Sequence, residues 1–377
     1  MTDWSRLVRP SLIGLEPYRP GASVEELKAA YGLDEMLKLN WNEGLEGPFP
    51  GVEEAIVAEF ERAWIYPSEA YADLRADVAG WVGTVPERIV PSHGIQALIA
   101  TIAHAFLAPG DAVVLTRPTY GLYATTSAAA GARVVAVPSR DHRHDVDALA
   151  AAAREADARL VWLCDPNNPT GALVEHAEWE RLLESVPDGC TVVVDEAYVE
   201  YVDPSLRLDR IRDVEDGRRV VLMRTFSKIF GLAGLRLGYA IAGEPLAEFL
   251  DVVQEPFNVN RAGLAAGRAS LRLPELVDER RLANQAGREG LAAQLGDAGA
   301  TPLPSQANFL LVDVGVDDVA LAEGLARRGI LVRAGSEFGL GRFVRITTGP
   351  AALMEGVAGE VADVRAELLE SSAALEA

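Results

Sequence analysis

Thr225-Phe226-Ser227-Lys228-Ile229-Phe230-Gly231-Leu232-Ala233-Gly234-Leu235-Arg236-Leu237-Gly238-Tyr239 decides how the rest of the chain is read. Val220-Val221-Leu222-Met223 precedes it and Tyr239-Ala240-Ile241-Ala242 closes it, so it joins two predicted buried strands. One lysine stands among small and apolar residues. Such surroundings strip its hydration, disfavour the ammonium and lower its pKa. A neutral amine attacks an aldehyde and forms a Schiff base. Thr225, Ser227 and Arg236 add hydroxyl and guanidinium donors suited to a phosphate. An aldehyde and a phosphate on one ligand point to pyridoxal 5′-phosphate.

The whole chain agrees with such a role. Its 377 residues suffice for two domains around a large core. With 35 basic and 56 acidic residues the formal charge is -21, which disfavours nucleic acid or an anionic membrane as partner. No apolar run reaches the length of a membrane helix, and the first residues lack a signal-peptide core, so the expected location is cytoplasmic. Cys164 and Cys190 are far apart and read as reduced core thiols. His142 and His144 lie in a polar loop without the cysteines or acids of a metal site.

Outward from the lysine, apolar runs alternate with helical patterns. The runs are Ile89-Val90, 111–115, 133–137, 160–164 and 191–194, and the helices include 74–82 and 146–155. This alternation predicts an α/β fold with a mostly parallel sheet, whose ligands gather at the strands' carboxyl ends. The motifs fall there. Ser92-His93-Gly94-Ile95-Gln96 turns from strand into helix and offers free N–H groups to a phosphate. Tyr120 follows a strand, as does Asp165-Pro166-Asn167-Asn168-Pro169-Thr170-Gly171. Asp195-Glu196-Ala197-Tyr198 ends another, and a carboxylate there keeps a pyridine nitrogen protonated. Further on, Arg345 lies inside the apolar strand Phe343-Val344-Arg345-Ile346, where it needs an anionic partner. Arg333 reads either as a second anion contact or as a surface ion pair.

Before the large unit, Ser23-Val24-Glu25-Glu26 reads as a capping box opening a helix. Leu37 to Glu43 reads as a strand and Val52 to Ala63 as a helix. A long helix is expected from about 246, broken at 255–260.

These motifs resemble the class I/II aminotransferases, and within them the histidinol-phosphate aminotransferase branch. The likeness runs from about Tyr18 to Gly349. It implies fold type I of the pyridoxal-phosphate-dependent transferases: a seven-stranded, mostly parallel sheet with flanking helices, plus a smaller α+β domain. The implied division is an arm over 1–35, a large cofactor-binding domain over 36–255 and a small domain over 256–377. The likeness makes Lys228 the Schiff-base lysine, Asp195 the partner of the ring nitrogen, and Asn168 and Tyr198 the partners of the phenolic oxygen. Tyr120 stacks on the ring. Gly94, Ile95, Gln96, Thr225, Ser227 and Arg236 hold the phosphate, with Tyr66 reaching it from the other subunit of a homodimer. Tyr18, Asn42, Glu43, Arg333 and Arg345 then face the substrate, an amino donor or a 2-oxo acid. Alternatives stay open for Tyr18, Tyr66 and Tyr120 as packing residues.

The chain departs from the family in two places. Gly44-Leu45 stands where the family has Asn-Pro, and Gly94-Ile95-Gln96-Ala97 lacks the usual acidic pair. The first departure keeps a second reading in play, an oxygen-using oxidase or hydroxylase of L-arginine on the same scaffold, with Glu43 and Glu46 facing the cationic side chain. A ligand-sensing regulator would carry an additional basic domain ahead of the arm, which the acidic sequence does not suggest.

Overall fold

A strand covered by helices on both faces needs no polar alternation, and the continuous apolar runs form such strands. The computed structural model describes residues 3–17, 21–68 and 70–376. Its strands are β1 Leu37–Lys38, β2 Ile89–Ser92, β3 Ala112–Arg117, β4 Arg133–Pro138, β5 Ala158–Cys164, β6 Thr191–Asp195, β7 Val220–Thr225 and β8 Gly238–Ile241. They continue with β9 Thr301–Pro302, β10 Phe309–Asp313, β11 Ile330–Leu331, β12 Arg333–Ala334 and β13 Phe343–Thr347.

Seven strands form one sheet in the order β2-β8-β7-β6-β5-β3-β4. β8 runs antiparallel to both neighbours, and the other pairs are parallel. The carboxyl ends of β2, β3, β5, β6 and β7 therefore point the same way, and every motif read above the sheet sits at that edge. Helices Gly94–Phe106, Leu122–Ala129, Val146–Ala156 and His176–Ser185 connect the strands. Val113, Val161, Trp162, Val193, Val221 and Leu222 are among the side chains of the core between them.

A second sheet, β12-β13-β10-β9, is antiparallel. Its core joins Leu310, Val312, Leu321, Leu325, Val344 and Ile346 to Val361 and Val364 of the terminal helix Val357–Glu376. β1 pairs in parallel with β11, and Leu39 belongs to this second core. Helix Pro274–Asp297 serves both cores, with Val277 in the first and Leu291 and Leu295 in the second. Val259 and Ala266, beyond the expected boundary at 256, pack in the first core.

Several elements are shorter than read. The strand expected over Leu37 to Glu43 ends at Lys38, because the carbonyls of Asn40 and Trp41 turn inward to accept from Arg345 and Lys228. The helix from Val52 stops at Phe60, and the expected long helix near 246 is Glu244–Val253. The run 330–333 splits at Val332 into β11 and β12, which join different partners. The capping box is present: Glu26 N–H donates to Ser23 Oγ at 3.2 Å and Ser23 N–H to Glu26 Oε2 at 2.7 Å. Tyr18 lies outside the described residues. No helix among the described residues is long and apolar enough to cross a membrane.

Candidate active site

Lys228 sits just past β7, in a turn closed by Gly231 N–H donating to its carbonyl at 3.0 Å. Its Nζ donates to the Trp41 carbonyl at 3.3 Å and lies 5.5 Å from the Tyr198 ring centroid. Burial pushes the amine down to about 7. The Arg345 guanidinium adds to this, and Glu43 and Asp195 partly oppose it. The nucleophile expected from the sequence thus has a substantial neutral fraction near physiological pH.

Two loop backbones meet at this lysine. A Cβ on Gly44 would lie 2.3 Å from the Lys228 carbonyl oxygen, and one on Gly231 would lie 2.0 Å from the Gly47 carbonyl oxygen. Each loop carries a glycine where the other touches it. The Gly44-Leu45 departure has this physical sense, since Leu45 in turn packs where a Cβ on Gly349 would lie 2.9 Å away.

Asp195, the last residue of β6, is 4% exposed. Burial pushes its carboxyl up to about 6, against hydrogen bonds from Tyr123 and Ala197 and the charge of Lys228. Tyr123 O–H donates to Oδ2 at 2.5 Å and Ala197 N–H to Oδ1 at 3.0 Å. Tyr123 was not singled out in the sequence. It is buried, lies parallel to Trp162 at 5.4 Å, and makes an edge contact with Tyr120 at 5.5 Å. The available signal was its place three residues after Tyr120, at the start of the helix Leu122–Ala129.

At the other end of the pocket, Gly94 has φ +79°, and a Cβ there would come within 3.0 Å of Arg236 Nη2. Gln96 connects this corner to the aromatic one. It donates to Tyr120 Oη at 2.9 Å and accepts from Arg236 Nη2 at 3.5 Å. Ile95 opens the same helix. Ser227 N–H donates to Thr225 Oγ1, whose own proton goes to the Leu237 carbonyl at 3.2 Å. The Thr225 hydroxyl thus shapes the turn from within.

Asn168 Oδ1 accepts from Arg345 Nη1 at 2.6 Å. Tyr198 Oη accepts from Asn42 Nδ2 at 3.1 Å, and Asn42 Oδ1 accepts from Thr347 at 3.2 Å. β1's extension, β5, β6 and β13 therefore converge around Lys228. Arg333 lies opposite Arg345 across the β12–β13 pair, and its guanidinium is ion-paired with Glu337. Tyr66 is three-quarters exposed, with its ring stacked on Phe257 at 4.7 Å. It stands outside the group around Lys228. Behind the site, Arg210 joins Asp165 to Glu196, and Arg224 Nε donates to Glu196 Oε2 at 2.8 Å. This buried network ties the loops after β5 and β6 to β7 and to the helix Arg210–Glu215, and the sequence reading missed it.

The two carboxylates behind the arginine-oxidase alternative have partners within the chain. Glu43 pairs with Lys38, which itself lies over the Trp41 ring at 3.8 Å. Glu46 has Arg280 as its nearby cation, although burial raises its pKa.

The residues fit pyridoxal 5′-phosphate. Asp195, a buried carboxylate without a cationic hydrogen-bond partner, would serve a ring nitrogen. Lys228, an amine with a lowered pKa, would meet an aldehyde. The Gly94 cradle beside the Arg236 guanidinium, left open by the missing Cβ, would take a phosphate. Fold and site define a pyridoxal-phosphate-dependent enzyme of fold type I. The family model "Aminotransferase class I and II" matches residues 34–361. Histidinol-phosphate aminotransferase of Geobacillus thermodenitrificans is 38% identical over 91% of this chain and 93% of its own. That of Halalkalibacterium halodurans is 36% identical over 96% and 98%. The crystal structure of histidinol-phosphate aminotransferase from Sinorhizobium meliloti with pyridoxal 5′-phosphate superposes with a TM-score of 0.87 at 31% identity, covering 96% of this chain and 98% of that one. The chain belongs to the class I and II aminotransferases and is a pyridoxal-5′-phosphate-dependent aminotransferase. These relatives do not favour the oxidase reading.

Proposed function

We propose that the chain transfers the amino group of histidinol phosphate, or of a closely similar amine, to a 2-oxo acid. The observation that carries this reading is the pair of arginines, Arg333 and Arg345, directly opposite each other on the small sheet beside Lys228. Two guanidiniums on one face suit an anionic substrate group such as phosphate.

In this reading Lys228, Asp195 and Tyr198 are the catalytic residues. Pyridoxal 5′-phosphate supplies, when bound, an aldehyde and an electron-withdrawing ring. Asp195 holds the ring nitrogen's proton, and Tyr123 and Ala197 fix the carboxylate that does so. Asn168 and Tyr198 orient the phenolic oxygen, and Tyr120 covers the ring face. Arg236, Ser227, Gly94, Ile95 and Gln96 hold the phosphate, with Thr225 keeping the turn in shape. Lys228 Nζ, titrating at about 7, takes the proton from the donor's α-carbon and later returns it. Asn42 and Glu43 border the donor, and Tyr18 is assigned the same role on the family resemblance alone.

The same reading includes a homodimer in the cytoplasm, with Tyr66 reaching the partner's phosphate. Its support is the cluster of exposed apolar side chains Val57, Phe60, Trp64 and Ile65 beside Tyr66. The domain division that the packing favours lies within helix Pro274–Asp297, where side chains change from one core to the other, rather than at 256.

The test is an absorbance series on the purified yellow enzyme without keto acid, in air and under nitrogen. Histidinol phosphate, aromatic amino acids and L-arginine are the donors. The expected result is conversion to the amine form of the cofactor with histidinol phosphate in both atmospheres, reversed by 2-oxoglutarate. Conversion by another donor alone overturns the substrate. Spectral change only in air, with oxygen consumed, overturns the aminotransferase mechanism.

A further inference from the structure

Residues directly opposite in an antiparallel pair carry their side chains on one face, about 5 Å apart at Cβ. Arg333 and Arg345 are such a pair. Arg345 is the inner one. It is buried, donates to Asn168 and to the Asn40 carbonyl at 2.6 Å each, and is close enough to Lys228 to lower its pKa. Arg333 is on the edge strand β12, one strand farther from the sheet's centre.

The guanidinium of Arg333 has an anion from its own segment. Glu337, four residues on, pairs with its Nη2. The turn Gly335–Phe338 holds Glu337 in place. A Cβ on Gly335 would lie 2.3 Å from the Leu340 carbonyl oxygen, so the turn packs tightly. Ser336 N–H donates to Asp318 Oδ2 at 2.6 Å. The next residue, Phe338, turns its ring to the Arg345 guanidinium at 5.2 Å. One short turn thus gives an anion to the outer arginine and an aromatic face to the inner one.

We propose that Glu337 is a specificity-determining residue: its carboxylate occupies the place on Arg333 that the far anion of the amino donor takes, and such a donor binds by displacing it. This rests on the reading of Arg333 and Arg345 as the anion-binding pair. The Glu337 side chain is 45% exposed, so it leaves into water rather than into the core. Ion pairs with such access to solvent are weak, and a phosphate with two charges and a matching pair of oxygens displaces a single carboxylate. A donor with an uncharged aromatic tail leaves the pair intact. Glu337 therefore weakens phosphate-bearing donors selectively and narrows their advantage over phosphate-free ones.

The test is Glu337→Gln in the holoenzyme. Calorimetric titration with inorganic phosphate gives a dissociation constant without turnover. It is expected to fall about 2–5-fold, the upper part of the range an exposed ion pair of this kind can impose. The ratio of KM for histidinol phosphate to KM for an aromatic amino acid should fall by a similar factor, with kcat changing less than KM. In an Arg333→Gln background the gain in phosphate affinity should shrink below about 2-fold. An unchanged dissociation constant, an equal gain without Arg333, or no phosphate binding by either protein overturns the proposal. If the wild-type enzyme does not use histidinol phosphate, the donor assignment falls, while the phosphate titration still decides the role of Glu337.

Discussion

Replacing Glu200 by glutamine should stabilise the enzyme in alkaline buffer and leave it nearly unchanged in acid. Glu200 follows the Asp195–Tyr198 motif and is 5% exposed. Neither carboxylate oxygen has a hydrogen-bond partner in any other described residue. Burial, only partly offset by Arg224 and Arg207, pushes its pKa up to about 7 from an ordinary 4.5. The folded chain therefore binds this proton more tightly than the unfolded chain. Stability is full below 4.5, declines as pH rises toward 7, and has lost the whole contribution above it. Each pH unit in that window is worth about 1.4 kcal/mol, so the loss by pH 8.5 is about 3 kcal/mol. Glutamine copies the protonated acid's shape without its ionisation. Thermal unfolding of both holoenzymes at pH 5.5 and 8.5 tests this. The variant should melt on the order of 5 °C higher at pH 8.5, with a gap about two fifths as large at pH 5.5. An equal gap at both pH values, or a less stable variant at pH 8.5, would refute the reasoning.

Gly44→Ala places a methyl 2.3 Å from the Lys228 carbonyl oxygen. It should cost about 1–3 kcal/mol of stability and at least ten-fold in activity, read by thermal melts and by kcat/KM. Tyr123→Phe removes a donor from Asp195, raises its pKa further, and should lower kcat about 10–100-fold with a changed cofactor spectrum. Enzyme stripped of cofactor should recapture pyridoxal 5′-phosphate faster as pH rises from 6 to 8, because Lys228 loses its proton near 7; a flat rate profile over that range contradicts this. Trp64→Glu, at a side chain 84% exposed, should convert the proposed dimer to monomer in light scattering without lowering the melting temperature of the monomer's core.

The sheet was legible because its strands, apart from the edge strand β4, are buried on both faces, so their apolar runs stand out against helical spacing. Lys228, Asp195 and Asn168 could be found because each directly follows such a run. What stayed hidden depends on distant segments meeting. Gly44 and Gly231 look ordinary until their loops are set against each other's carbonyls. Tyr123 needed the position of Asp195 across the sheet. The split of 330–333 into β11 and β12 could not be read, because strands of two residues carry no periodicity. Arg333 had two readings; the structure shows an ion pair with Glu337 and a register opposite Arg345, and the anion contact stays a proposal.

The pairing of β1 with β11 brings Leu37 beside Ile330. A ribosome adding roughly 5–20 residues per second needs about 15–60 s to make the chain between them. For that interval the segment around Leu37 has no partner strand, and Asn42, whose amide serves Tyr198, has not met Thr347. The seven-stranded sheet has all its strands well before then, since β8 ends at Ile241. Lys228 is therefore synthesised, and its sheet can close, while the strand that walls the pocket still waits. A nascent chain stalled after residue 300 should be able to assemble its main core yet lack a complete pocket. Activity would then wait for β13, which ends at Thr347, rather than grow in proportion to the length made.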